Sequence, residues 1–188
     1  MNLVMVTTVV LTALAIVREK EIGTMEQLMV TPIRPVELII GKTAPFALIG
    51  LFQLILATLL ALIIFRIPFR GNPLLLLISG ILFLLTTLGS GVFISTISKS
   101  QLQAVLSTFM FLMPAVLFSG FAFPIHSMPQ VFQYVSYVDP MRYFIEIVRG
   151  VFLKGSGLAI LWPQMLALAI FGLVVLSLSV LRFRKRLD

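Results

Sequence analysis

The sequence predicts an all-α membrane protein with five transmembrane helices, and three observations carry that prediction. Of 188 residues, 60% are hydrophobic and 11% charged, whereas a soluble domain has about 45–50% apolar and about 25% charged residues. The apolar residues fall into five runs, residues 1–17, 43–65, 74–97, 104–123 and 158–181, to be compared with the ~20 residues that cross ~30 Å of hydrocarbon. Basic residues gather at the ends of these runs: Arg18, Lys20, Arg34 and Lys42 around the first gap, and Arg182, Arg184, Lys185 and Arg186 after the last run. The positive-inside rule puts both clusters, and with them the C-terminus, in the cytoplasm. Lys99 adds to that side, whereas Arg66, Arg70, Arg142, Arg149 and Lys154 fall outside, so the bias is moderate.

The first run is barely long enough to span, and no Lys or Arg precedes it, which disfavours a secretory signal. The expectation is a C-terminal part of a longer protein with at least one earlier span; the alternative is a short first helix with its N-terminus outside. Residues 18–42 then form a charged island. Thr24 followed by Gln27 is a capping-box pattern, so a short helix is expected from Met25. Pro32 disfavours helix at Thr31, and Pro35 suits the first turn of the helix that follows. Met25, Leu28 and Met29 share one face, with Glu26 and Gln27 elsewhere. Two readings stay open: an ordinary interfacial helix, or an element offered to a protein outside the bilayer. Gly41-Lys42-Thr43 looks like the end of a P-loop, but position 36 holds Val36 where that motif needs glycine, and no strand precedes it. Lys42 is expected to snorkel at the span boundary.

No Asp, Glu, Lys, Arg or His lies inside the five runs, which disfavours an ion-coupled carrier, since such carriers bind the ion at mid-depth. Their polar residues are Ser, Thr and Gln, among them Gln53, Thr58 and Gln164. Thr87, Gly91 and Ser95 recur every four residues, a small stripe that either lets a neighbouring helix approach or lines a path. Pro114 removes a backbone hydrogen bond in the fourth run and should bend it. The outer segment, with helices expected within residues 127–154, is too apolar for a solvated linker. Asp139 and Pro140 are a cap and first-turn proline; Met141, Phe144, Ile145, Val148 and Phe152 share one face, opposite Arg142, Glu146 and Arg149. With a shorter helix around Met128, Val131, Phe132 and Val135, this makes a pair too short to cross, which either closes an outer mouth or packs on the surface.

Other classes find little support. With no cysteine there is no thiolate metal site or nucleophile, and His126 is the only histidine, so neither a catalytic nor a metal site is expected. The net charge of +7 lies at span ends and not in a basic patch interleaved with aromatics, so no nucleic-acid partner is expected.

The run Arg18-Glu19-Lys20-Glu21, then Gly23, Thr24, Glu26, Leu28, Pro32 and Gly41-Lys42, resembles the segment between the second and third spans of ABC-2 type exporter permeases of the bacterial drug-efflux kind. Asp139, Pro140, Tyr143, Glu146, Arg149, Gly150 and Lys154-Gly155 are similar to that family's re-entrant helices, and the basic tail is usual there. The resemblance implies the second to sixth of six spans, with the first span and the large outer domain missing. It implies that Gly23, Thr24, Met25, Glu26, Gln27, Leu28, Met29 and Pro32 form a coupling helix on a separate ATP-binding subunit that holds ATP and Mg, and that a second permease chain pairs with this one. A permease of the bacterial inner membrane that exports a small amphipathic molecule, a drug or lipid, is the expectation. The alternative is an assembly or anchoring protein, or a truncated permease that does not transport.

Overall fold

The computed structural model describes residues 2–23 and 35–184. Among the described residues five helices are long and apolar enough to cross a membrane: α1 (Asn2–Ile22), α2 (Pro35–Ile63), α3 (Pro73–Ile97), α4 (Gln101–Phe118) and, last in the chain, α7 (Leu158–Arg184). Between α4 and α7 lie two short helices, α5 (Gln130–Val135) and α6 (Pro140–Arg149), joined by a 3-10 turn at Ser136–Val138.

Helix α3 is the axis of the bundle. It is apolar on all sides, and Leu76, Ser79, Phe83, Thr87, Val92 and Ser95 are all buried. Because lipid is as apolar as leucine, such helices associate by close packing and by hydrogen bonds. Both are present. A Cβ on Gly91 would lie 2.8 Å from Thr12 Cβ and 2.9 Å from the Val9 carbonyl oxygen, so only glycine lets α1 and α3 approach this far. The stripe of small residues therefore faces a helix at Gly91, while the Thr87 hydroxyl turns back on the Leu84 carbonyl at 3.0 Å. On the other side, Ser179 of α7 donates to the Gly89 carbonyl at 3.1 Å, and Thr86 donates to the Leu168 carbonyl at 3.3 Å. Thr7 of α1 donates to Gln53 Oε1 of α2 at 2.7 Å, which satisfies a polar side chain placed in an apolar setting. Large apolar side chains of α2 and α4, such as Phe52, Ile63, Phe109 and Met113, are exposed, as faces turned to lipid require.

Boundaries differ from the sequence expectation where polar residues extend or stop a helix. Arg18–Ile22 continue α1 and Pro35–Lys42 begin α2, so residues 18–42 are not one separate element at their two ends. Arg, Glu and Lys are good helix formers, and nothing in hydropathy marks that. The fourth helix ends at Phe118 and not Phe123: the Ser119 amide makes the last helical bond, to the Ala115 carbonyl, and its hydroxyl then accepts from Phe121 N at 3.2 Å. Pro114 lies within α4, which continues for another turn beyond it.

Candidate functional site

Two regions gather polar side chains at opposite ends of α3. The first lies where α1 ends. Gly23, with φ +81, stands just past Ile22; this left-handed conformation at the residue after a helix is the usual glycine stop. Of the remaining residues expected to contact an ATP-binding subunit, Thr24, Met25, Glu26, Gln27, Leu28, Met29 and Pro32 lie outside the described residues.

In the last turn of α1, three consecutive residues each bond to a different helix. Glu19 forms an ion pair with Lys42 of α2, so Lys42 is held by a partner and not simply extended to the interface. The Lys20 ammonium donates to the Ser95 carbonyl of α3. Glu21 Oε2 accepts from Gln101 Nε2, at the start of α4, at 2.7 Å. The last two contacts follow from how the turn between α3 and α4 is built. The Ser95 carbonyl belongs to the last turn of α3, and the amide four residues on, Lys99 N, donates instead to Gln103 Oε1 at 2.8 Å. Ser100 caps α4, its hydroxyl accepting from Gln103 N at 3.3 Å. The turn thus closes on itself and leaves the Ser95 carbonyl to an outside donor, which Lys20 supplies. Ser95 was singled out by its small size; its backbone carries this contact, while its hydroxyl turns back on Val92 at 2.5 Å.

The second region is the face of α6. Asp139 caps the helix, Oδ1 accepting from Met141 N at 3.0 Å, with Pro140 in the first turn. Asp139 is buried, and its Oδ2 has no hydrogen-bond partner among the described residues. Burial pushes its pKa up to about 7, against the lowering effects of the Met141 amide and Arg142. A pocket of about 230 Å³ adjoins it, lined by Met110, Phe111, Pro114 and Phe118 of α4 and by Val138. Arg142 pairs with Glu146 at 3.3 Å, donates to the Ser136 hydroxyl at 2.6 Å and lies over the Tyr137 ring. The Tyr143 hydroxyl donates to the Tyr137 carbonyl at 2.8 Å, and its pKa is raised chiefly by burial. Arg149, one turn on from Glu146, donates through Nη2 to the Gly120 carbonyl, just past α4, at 3.1 Å. Gln164 of α7 makes a long contact to Glu146, 3.5 Å.

Asp139, Tyr143, Glu146 and Arg149 are thus gathered at one end of the bundle, Gly23 and Ser95 near the other, with Thr87 and Gly91 between them along α3. Sequence reasoning took Lys20 for orientation, and Lys20 and Glu21 as part of the resemblance, but gave none of Lys20, Glu21 and Gln101 a contact; these are the residues it missed. Their one signal was the adjacency of opposite charges in Lys20-Glu21, ambiguous by itself. Among the described residues, no three His, Cys, Asp or Glu side chains come together to hold a metal ion.

A bundle of apolar helices tied together at its charged end, with short helices at the other, is the architecture of a multi-pass membrane domain. The chain belongs to the ABC-2 type transporter family, whose description it matches over residues 1–153. It is 37% identical over 180 residues to "Probable multidrug ABC transporter permease YbhS" of Escherichia coli (strain K12), covering 95% of this chain and 48% of that protein. It is 31% identical over 185 residues to "Probable multidrug ABC transporter permease YbhR" of the same organism, 97% of this chain and 50% of that one. It is 34% identical over 178 residues to "Inner membrane transport permease YhhJ", 94% and 48%. The chain spans about half the length of these relatives. No solved structure matches it.

Proposed function

We propose that this chain works as the membrane-spanning permease of an ATP-driven exporter and moves a small amphipathic molecule outward. An ATP-binding subunit hydrolyses ATP with Mg and grips Thr24, Met25, Glu26, Gln27, Leu28, Met29 and Pro32; a second permease chain completes the pathway. The observation that carries this reading is the arrangement of Glu19, Lys20 and Glu21, each bonded to a different helix directly before that segment. An end of the bundle so tied is suited to take force from outside the membrane and pass it to several helices at once. The relatives named as multidrug permeases support export of drug-like molecules. A groove of about 610 Å³ between α2 and α3, lined by Leu54, Leu59, Leu62, Phe69 and Leu76, suits the apolar part of such a molecule. The basic residues at the end of α7 support a cytoplasmic C-terminus in the bacterial inner membrane.

The test is copurification with the ATP-binding subunit. Glu26→Arg or Leu28→Asp is expected to abolish it; undiminished copurification of both variants would overturn the reading.

A further inference from the structure

We propose that Lys20 and Glu21 are positioning residues: they fasten the turn between α3 and α4 to the end of α1, so that displacement after Gly23 is carried into both helices. This deepens the function proposed above and rests on it.

The chemistry of the contact is matched at both points. Helix α3 ends at Ile97 with partial negative charge on its last carbonyls, and α4 begins at Gln101 with partial positive charge on its first amides. Lys20 meets the negative end at the Ser95 carbonyl, and Glu21, the next residue, accepts from the side-chain amide of Gln101, the first residue of α4. Opposite charges on neighbouring residues thus lie beside the two opposed helix ends of one turn, Lys20 on a backbone carbonyl and Glu21 on a side chain. Exchanging their order would set each charge against the wrong dipole. Nor can the turn rearrange cheaply to release them. Its other groups are committed internally, Lys99 N to Gln103 Oε1 and Gln103 N to the Ser100 hydroxyl.

Further along the same interface, Gly91 removes the side chain that would otherwise cushion α1 from α3. Displacement of α1 is therefore not taken up by a flexible side chain at that point. Helix α3 continues unbroken to the level of Phe83, which stacks on Phe144 of α6 with ring centroids 4.2 Å apart. A contiguous packed route joins the charged end to the amphipathic helix at the other. Spatial continuity alone is no proof of coupling, so the test measures coupling directly.

Hydrogen exchange of Pro140–Arg149 is followed in the complex of the permease with its ATP-binding subunit, in lipid nanodiscs, with and without ATP and vanadate. Lys20→Met with Glu21→Gln is expected to keep copurification and ATP hydrolysis yet lose the nucleotide-dependent change in exchange by about fivefold or more, the low end of ordinary site coupling. Lys20→Arg, which still offers a cation to the Ser95 carbonyl, should retain it. A double variant that responds to nucleotide like the wild type overturns the proposal while leaving the permease reading intact. A wild-type complex with no nucleotide response takes both down. Should the double variant fail to fold, Lys20→Met and Gln101→Ala are made singly, the first removing the cation from the Ser95 carbonyl and the second the exposed amide that Glu21 holds; a response undiminished in both also overturns the proposal.

Discussion

Phe83 of α3 and Phe144 of α6 lie face to face, their ring centroids 4.2 Å apart and their planes 7° from parallel, and both are wholly buried. This stack joins the most buried helix of the bundle to a helix too short to cross a membrane. Phe→Ala in a packed core costs about 3–5 kcal/mol. Phe144→Ala is expected to fall in that range, seen as a lower thermal unfolding midpoint in detergent and as faster exchange of Pro140–Arg149. Phe109→Ala, at an exposed position on α4, is the control and should change neither. Equal midpoints for the two variants would remove the stack from the forces that hold α6.

Gly91 gives a sharper contrast. Any Cβ there meets the Val9 carbonyl oxygen at 2.9 Å, a backbone atom that cannot swing aside. Gly91→Ala should force α1 from α3 at a cost of about 1–3 kcal/mol, as overpacking does. Gly41→Ala, with nothing among the described residues within 4 Å of the added carbon, should be neutral or slightly stabilising. Melting curves of the two alanine variants decide it, and a Gly91→Ala protein as stable as the wild type would mean that the helices are not in close contact there.

These positions show what sequence can and cannot reveal. The helices were legible because hydropathy over twenty residues is a property of each run alone. The start of α6 was legible for the same local reason: Asp139 and Pro140 specify a helix beginning within two residues of themselves. The contact of Lys20 with Ser95 joins residues 75 apart in the chain, and no local pattern encodes which carbonyl an ammonium will reach. The partner of Arg149 was hidden for a related reason. Spacing along α6 put it in a row with Arg142 and Glu146, but the end of α4 comes close enough for the Gly120 carbonyl to take it instead.

Asp139 is expected to make the amphipathic end sensitive to pH. Its carboxyl has one oxygen on Met141 N and the other without a partner among the described residues, and burial raises its pKa from 3.8 to about 7. Arg142 opposes the shift, and Tyr143 is the other titrating group that senses this carboxyl. A group whose pKa is higher folded than unfolded binds its proton more tightly in the fold. Its stabilising contribution is complete below the unfolded value near 3.8 and is lost as pH rises through about 7. The thermal midpoint of the wild type should therefore fall between pH 5 and pH 8. Asp139→Asn keeps an oxygen for the Met141 amide but cannot ionise, so its midpoint should fall less. Parallel pH profiles for the two proteins would exclude this carboxyl as the source.

Arg149 supplies the last prediction. Its guanidinium donates to the Gly120 carbonyl just beyond α4, while its stem borders a small cavity with Ala57, Thr58 and Ile67. Arg149→Met preserves most of that apolar stem and removes only the hydrogen-bonding head, so packing and tethering are separated. Because the side chain is largely exposed, the loss should be near the low end for a hydrogen bond to a charged group, about 1.5 kcal/mol. That is about a tenfold rise in local opening, read as hydrogen exchange in residues 119–128, with the spans themselves unaffected. Arg149→Lys should recover part of the protection, since an ammonium can reach a carbonyl but not with the planar geometry of a guanidinium. If Arg149→Met leaves exchange after α4 unchanged, the tether does not hold this segment, and α6 is anchored by Phe144 and its neighbours alone.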